Sequence, residues 1–489
     1  MPITSSRCHF LTLPDELIFE ILSYCPVENI LKLEGTCKRL YQICRSHAIW
    51  RSLVQRLDVS QAPSTNPFYS IESLPETELR WKVINAIQRH RAWTTPGNVP
   101  PMRVLELPLP HIEESRIMKT RLLPGGKEIL ISNHGTVEFW SIESMECLWS
   151  IPAPEHHIDT VGFDFDIVDN GKVLAIAIVC EDGVFPDMSL LRLYNYTFAN
   201  HSVNLVLERR LPTLSPSRIM LQGDFFISSI PRLSQSVVLN WRSGRALILD
   251  FADPMRLRTD VRSKLVADNN LIIFLQEAEL GFCAAKLPLS ALNERWSDEL
   301  NHNAWQHVLF RSLDRDYSLL PLPYSEDQDS AQNGNAGYGL WVLAHHIFKP
   351  SWQPNAPTEI FVVAYTVTPG GRKPMRLISF RLQLSHSEGQ GSERDSGTLK
   401  LVKSSSAPIE RLPRNPRNVS NTGLMFSLRQ KLQVITLFSE DGQPISEVDL
   451  GADVIPESEE FDPNVSSVDP WSGSIAVRIL GSMKVLYFD

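Results

Sequence analysis

Residues 124–141 read PGGKEILISNHGTVEFWS: a Gly-Gly pair, an apolar run, His-Gly, and a second apolar run. Each run alternates and carries β-branched or aromatic side chains, and small turn-forming residues bound both, so the stretch reads as strand, turn, strand. The same rhythm returns at 169–196, 222–241, 267–287, 358–384, 421–438 and 470–489. From Arg103 onward helical periodicity is almost absent.

These hairpins recur about once per 55 residues, the spacing of propeller blades with insertions. A single sandwich rarely needs so many residues, so a ring of four-stranded blades accounts for the pattern better. The hairpins resemble the two middle strands of WD-type blades, with Trp140, Tyr194 and Trp241 at comparable second-strand positions. The strict Gly-His and Trp-Asp signature is missing, which makes this a divergent relative. The expected fold is therefore mainly β: a WD-like β-propeller over residues 102–489, of about seven blades, with six or eight as alternatives. In a closed ring MRVLELPL (102–109) pairs beside the final SMKVLYFD (482–489). SEDQDSAQNGNAGYG (325–339) and SHSEGQGSERDSGT (385–398) interrupt the rhythm and read as mobile surface loops.

Upstream the pattern changes. LPDELIFEILSYC, Leu13 to Cys25, has a proline suited to the first helical position and two acids for the first turn. Leu13, Leu17, Ile21 and Cys25 recur every four residues, Ile18 and Leu22 widen the stripe, and Pro26 ends the helix. Three further short helical stretches follow, with Gly35 as a stop and Thr36 as a candidate cap. A segment of about 45 residues struggles to bury so many large apolar side chains alone, so it docks on the rest of the chain or on a partner.

LPDELIFEILSYCPVENILKLEGTCKRLYQICRSHAIW resembles the F-box in residue type and spacing along its length. The departures are Cys25 where Leu is commoner and Leu40 where Trp is frequent. The resemblance implies a three-helix F-box domain at residues 10–57, after a disordered N-terminus at 1–9. It also implies a Skp-type adaptor, and through it the cullin of a Skp–cullin–F-box ubiquitin ligase. Carried over by position, Leu13, Pro14, Leu17, Ile21, Leu22, Ile30, Leu31 and Leu33 are the adaptor contacts. Lys38, Arg39, Arg45, Arg51 and Arg56, with no acid between Glu34 and Asp58, fit either a solvated basic face or an acidic adaptor.

Residues 58–101 read as a linker. SQAPSTNPF (60–68) has the make-up of a surface connection, and Ser73 with Glu76 forms a capping box. Leu79, Val83, Ile87 and His90 then share one face of a helix that serves as a packed bridge or a rigid spacer.

Composition sets the exclusions. Of 489 residues 43% are apolar and 21% charged, an ordinary globular balance. A net charge of −9 argues against coating nucleic acid. Seven cysteines without a CxxC pair fit a reduced intracellular protein, and Cys25, Cys37 and Cys44 fall on apolar helical positions, as core thiols rather than zinc ligands. The sequence shows no secretory signal and no run long enough for a membrane span, so the expected location is cytoplasm or nucleus, and the sequons at Asn195, Asn418 and Asn464 read as chance.

No chemistry-bearing motif survives scrutiny. DFDIVDNG (164–171) has its third acid, Asp169, one place late for a calcium loop and Ala175 in place of the closing Glu. His156–His157 and His345–His346 are adjacent pairs that point apart on a strand. Gly125, Gly126 and Lys127 lack phosphate-loop spacing, and there is no nucleophile elbow. No cofactor, metal or catalytic residue is expected. The reading is a non-catalytic substrate receptor that docks the adaptor through the F-box and a substrate protein through the propeller. The alternatives are an F-box scaffold without a ubiquitylation role and a catalytic propeller. Arg218, Arg232, Arg242 and Arg245 flank one hairpin, and Arg411, Arg414 and Arg417 sit in a Pro-rich loop; both groups are candidates for meeting phosphate on a substrate peptide.

Overall fold

The computed structural model describes residues 9–57, 74–94, 101–109, 117–133, 136–151, 160–169, 171–181, 185, 187–214, 219–230, 235–251, 260–277, 281–296, 307–313, 317–322, 339–348, 357–367, 375–385, 398–409, 418–419, 424–428, 432–436, 445–448, 467–469, 473–479 and 482–488. Of the expected tail at 1–9, residues 1–8 lie outside these residues and His9 opens a 3-10 helix, His9–Thr12; the Ser73 cap and all but the ends of the two expected surface loops also lie outside.

Among the described residues the β region forms seven sheets, each of four or five strands. Every hairpin read from the sequence supplies the two middle strands of one sheet. In chain order the pairs open with Glu128–Asn133, Val173–Glu181, Phe225–Ile230, Asn270–Glu277, Thr358–Val367, Leu424–Leu428 and Ser474–Ile479, which define blades 1 to 7. The innermost strands are Ile117–Leu122, Thr160–Val168, Ile219–Gln222, Asp260–Ala267, Gly339–Phe348, Asn418–Val419 and Ser467–Asp469. Each lies against the innermost strand of both neighbours, and the last meets the first, so the sheets close into a seven-bladed β-propeller.

The middle strands are legible as apolar runs because both of their faces are covered by other blades. Val173–Glu181 shows this: all seven residues from Leu174 to Cys180 are buried. Leu174, Ile176, Ile178 and Cys180 face blade 1 with Phe139 and Tyr196. The smaller Ala175, Ala177 and Val179 face blade 3, where Phe226, Leu239 and Trp241 fill the space. Alternating faces of one strand thus serve two separate cores.

The ring closes where the first strand of the β region pairs with the last. Arg103–Leu107 is the outer strand of blade 7 and pairs antiparallel with Ser482–Tyr487, Arg103 opposite Tyr487 and Leu107 opposite Met483. Polar latches join innermost strands to the next blade. In blade 7, Ser467 Oγ accepts the Leu122 N–H at 2.9 Å and Asp469 accepts the Gly125 N–H at 2.9 Å. In blade 2, Asp164 accepts the Leu221 N–H at 3.0 Å and Asp166 the Gly223 N–H at 2.6 Å. Gly223 has φ +53°, a conformation in which a side chain is strained, so glycine is the residue that presents this N–H. The acids that resemble a partial calcium loop are therefore inter-blade ties.

The helical unit has four α-helices, one more than the three the F-box resemblance implies: α1 (Asp15–Tyr24), α2 (Val27–Glu34), α3 (Lys38–Cys44) and α4 (His47–Leu57). Thr36 does not cap α3; its hydroxyl bonds back to the Leu33 carbonyl at 2.7 Å, and Cys37 takes the cap position. The linker helix α5 (Glu76–Thr94) packs on α4, with Leu74, Leu79 and Val83 buried in the same core as Ile18, Leu22 and Trp50. That core therefore runs past residue 57 into the segment expected to be linker. α5 also meets the strands Leu432–Thr436 and Ile445–Val448 of blade 6. No described helix is long and apolar enough to cross a membrane.

Two outcomes test this architecture. Deleting residues 482–489 removes the strand that joins Arg103–Leu107 to blade 7 and leaves unpaired edges. The truncated protein should lose its cooperative melting transition or precipitate; an unchanged melting curve would mean that the closing pair is dispensable. The second concerns Asp166, whose carboxyl burial pushes up to about 6 against the opposing N–H groups of Gly223 and Ile167. Its folded pKa lies above the unfolded value, so the folded state binds the extra proton between them. Ionisation at neutral pH therefore costs stability, which is regained as pH falls through about 6. Asp166→Asn keeps an acceptor without the charge and should stabilise by about 1–3 kcal/mol at pH 7.5. The gain should shrink by pH 5 in paired thermal melts.

Candidate functional site: the exposed face of the helical unit

Along α1 the apolar stripe is divided between core and solvent. Ile18 and Leu22 are fully buried. Leu17 and Ile21, one position earlier in each turn, are 47% and 42% exposed, and Tyr24 at the helix end is 74% exposed. Pro14 is exposed just before the helix, and Leu13, Leu31 and Leu33 are half-buried against the core. Leu22 and Ile30, expected among the adaptor contacts, are wholly inside the unit and support the face from beneath. Periodicity gives the stripe but not which edge of it turns inward; that is set by α4 and α5, whose Trp50 and Leu79 complete the core.

The basic stretch is only partly available. Arg39 donates to the Leu13 carbonyl at 2.8 Å, to the Leu11 carbonyl, and to Asp15 at 2.5 Å, tying α3 to the start of α1. Arg45 donates to Glu34 at 2.7 Å. These two guanidiniums hold the unit together, so they are spent on its own groups rather than on an acidic adaptor. Lys38 remains solvent-exposed.

Glu34 anchors the junction with α5. Arg80, on α5, pairs with it at 2.9 Å and lies over the Trp50 ring at 5.5 Å, while His47 Nε2 contacts the Leu74 carbonyl at 2.9 Å. Burial alone would raise the Glu34 pKa. The hydrogen bonds from Arg45 and Arg80, with their charges, outweigh it and hold the carboxyl below its ordinary value.

Of the arginines proposed to meet phosphate, Arg242 and Arg245 lie among the described residues. Arg242 lies between Asp169 at 2.7 Å and Asp224 at 2.5 Å, hydrogen bonds that raise its own pKa, and it stacks on Trp241 at 4.7 Å. Its charge is already met twice. Arg242 and Arg245 sit at the end of blade 3 where Gln222 pairs with Phe225 and Asn240 with Arg245. Arg218, Arg232, Arg411, Arg414 and Arg417 lie outside the described residues. Among the described residues no group of His, Cys, Asp and Glu could hold a metal ion.

Residues 10–56 match the F-box-like family. Comparison with curated protein sequences gives no match. In fold the chain is similar to a chain of Drosophila Plexin A in complex with Semaphorin 1b, with 10% identity over 81% of this chain and 88% of that one and a TM-score of 0.39. It is similar to Drosophila Semaphorin 1a extracellular domains 1-2, with 12% identity, 81% and 89% coverage and a TM-score of 0.39. It is also similar to Drosophila Semaphorin 1b extracellular domains 1-2, with 9% identity, 81% and 88% coverage and a TM-score of 0.40. The chain therefore carries an F-box-like domain at residues 10–56, followed by the propeller.

The Glu34 junction yields a stability test. Arg80→Ala removes one of two guanidiniums from a half-buried carboxylate together with a stacked ring contact, and should destabilise the helical unit by about 1–3 kcal/mol. The unit should melt earlier by helical circular dichroism, with the β signal of the propeller retained. An unshifted helical transition would show that α5 is not part of the folded unit.

Proposed function

We propose that this chain is a substrate-recognition subunit of a Skp–cullin–F-box-type ubiquitin ligase, acting in the cytoplasm or nucleus. The helical unit docks the Skp-type adaptor, and through it the cullin, and the propeller holds the substrate protein. The observation that carries the reading is the row Leu17, Ile21 and Tyr24, left in solvent on an F-box-like domain whose own core is complete. Large apolar side chains in one exposed row are the surface that a partner helix covers.

In this reading the chain performs no bond chemistry. It raises the effective concentration of substrate lysines at a transfer site supplied by other subunits, so its contribution is proximity and orientation. Helix α5 suits that task. It is pinned to the helical unit by Arg80 and Leu79 and also meets blade 6, so cargo bound to the propeller is held at a set position relative to the adaptor.

The test is capture of a purified Skp-type adaptor by the full chain. Leu17→Asp with Ile21→Asp places two charges where apolar contact is needed and should abolish a micromolar interaction worth about −8 kcal/mol. Both side chains point to solvent, so the melting curve should be unchanged. Wild-type capture by the double variant would remove this face from the interface. Ubiquitylation of a co-captured protein in the reconstituted ligase, lost with the same variant, tests the substrate role.

A further inference from the structure

Arg39, on α3, reaches back to the segment that leads into α1. Its Nη1 donates to the Leu11 carbonyl, its Nη2 to the Leu13 carbonyl at 2.8 Å and to Asp15 at 2.5 Å, and its Nε to Asp15 at 3.2 Å. One planar group thus joins the 3-10 helix His9–Thr12, the residue before Pro14 and the first residue of α1. The segment's own ties are slighter. Pro14 stands at the cap position of α1 with no side-chain hydrogen bond and no N–H to donate, and the Leu13 N–H reaches the Phe10 carbonyl at 3.3 Å, a long hydrogen bond. The same segment heads the exposed row: Leu13 is half-buried, and exposed Leu17 follows it by one helical turn.

The ion pair is the lesser part of this arrangement. The side chains of Arg39 and Asp15 are 40% and 55% exposed, and a pair so open to water contributes little. The two carbonyls are different. They flank Thr12 and receive the two Nη groups of a rigid fork, which fixes the backbone from Leu11 to Leu13 against α3. Charged donors make the stronger kind of hydrogen bond, and the fork adds geometric specificity. Lysine would keep the charge but offer a single nitrogen in place of that fork.

We propose that Arg39 is a positioning residue for adaptor docking: it holds Leu13 at the head of the row, in line with Leu17 and Ile21, without itself touching the adaptor. The proposal rests on the reading of the Leu17–Ile21 row as the docking face. With the fork in place, Leu13 is ordered before the partner arrives. Without it, the backbone from Leu11 to Leu13 has to be ordered at the moment of binding, so affinity falls although every apolar side chain of the row is still present. The basic stretch then serves docking indirectly, through the backbone that carries Leu13, and not through attraction to an acidic partner.

The test measures dissociation constants of a purified Skp-type adaptor for full-chain variants at low and high salt. Arg39→Gln should weaken binding about tenfold and Arg39→Lys by nearly as much, with the ratio to wild type the same at both salt concentrations. A guanidinium that touched an acidic adaptor would instead be rescued by lysine and lose its effect at high salt. A double-variant cycle separates positioning from general destabilisation. Beside Leu13→Ala the cost of Arg39→Gln should fall below about twofold, because the positioned side chain is gone, and beside Ile21→Ala it should stay at about tenfold. In the free chain, amide exchange over residues 10–18 should quicken severalfold in Arg39→Gln while α4 stays protected. Equal costs in the two backgrounds, full rescue by lysine, or unchanged exchange would each overturn the proposal. If the wild-type protein binds no adaptor, the docking reading fails, and the exchange comparison still shows whether Arg39 holds the segment.

Discussion

The propeller depends on one pairing, that of Arg103–Leu107 with Ser482–Tyr487. A ring of sheets holds no blade that is complete alone, because each apolar face is buried only by a neighbour. Here the seam is closed by residues nearly 400 apart, so the long-range loop must be brought together before the last blade has four strands. The side chains around the seam are arranged accordingly. Tyr487 donates its hydroxyl to the Gly126 carbonyl at 2.7 Å, and Arg103 lies over its ring at 5.9 Å, so one residue ties blade 7 to blade 1 and to the closing strand.

Closure from the N-terminal side also places the helical unit. The closing strand begins soon after α5, so the helices are tethered at the seam and not at a free terminus. α5 uses that position, meeting blade 6 while the Lys82 ammonium, its pKa lowered chiefly by burial, also feels Lys127 in the first turn of blade 1. Blade 6 neighbours blade 7, so the helix packs beside the seam. The geometry that carries orientation from the F-box-like domain to the propeller is thus a consequence of how the ring closes.

What was legible in the sequence follows burial. The middle strands announced themselves because two covered faces demand continuous apolar side chains between turns, as in Val173–Glu181. The outer strands did not. Ser202–Pro212 mixes Asn204, Glu208 and Arg210 with exposed Leu205 and Val206, since its far side meets water. His307–Leu309, which adds a parallel fifth strand to blade 3, is too short to carry any pattern. Charges were read least well. Arg242 reads from the sequence as a candidate for substrate phosphate, and one of its partners, Asp169, lies 73 residues away in blade 2. Asp164 and Asp166 looked like failed metal ligands and are instead acceptors for the next blade's backbone.

The question raised by the N-terminal helices, whether they dock on the chain or on a partner, has its first half answered by α5, and the exposed α1 face is what the proposed adaptor would cover. A unit ending at Leu57 would leave Ile18, Leu22 and Trp50 short of cover. α5 supplies it with Leu74, Leu79 and Val83, each burial contributing about 1.5–3 kcal/mol. Because the chain completes that core itself, the helical unit does not need a partner in order to fold, and Leu17, Ile21 and Tyr24 can stay exposed without cost to its integrity. In the proposed function, that separation would let an adaptor bind and leave while α5 keeps its place against blade 6. An F-box-like domain that relied on a partner for its core would lose its fixed position against the propeller each time that partner dissociated, whereas here α5 holds that position from within the chain.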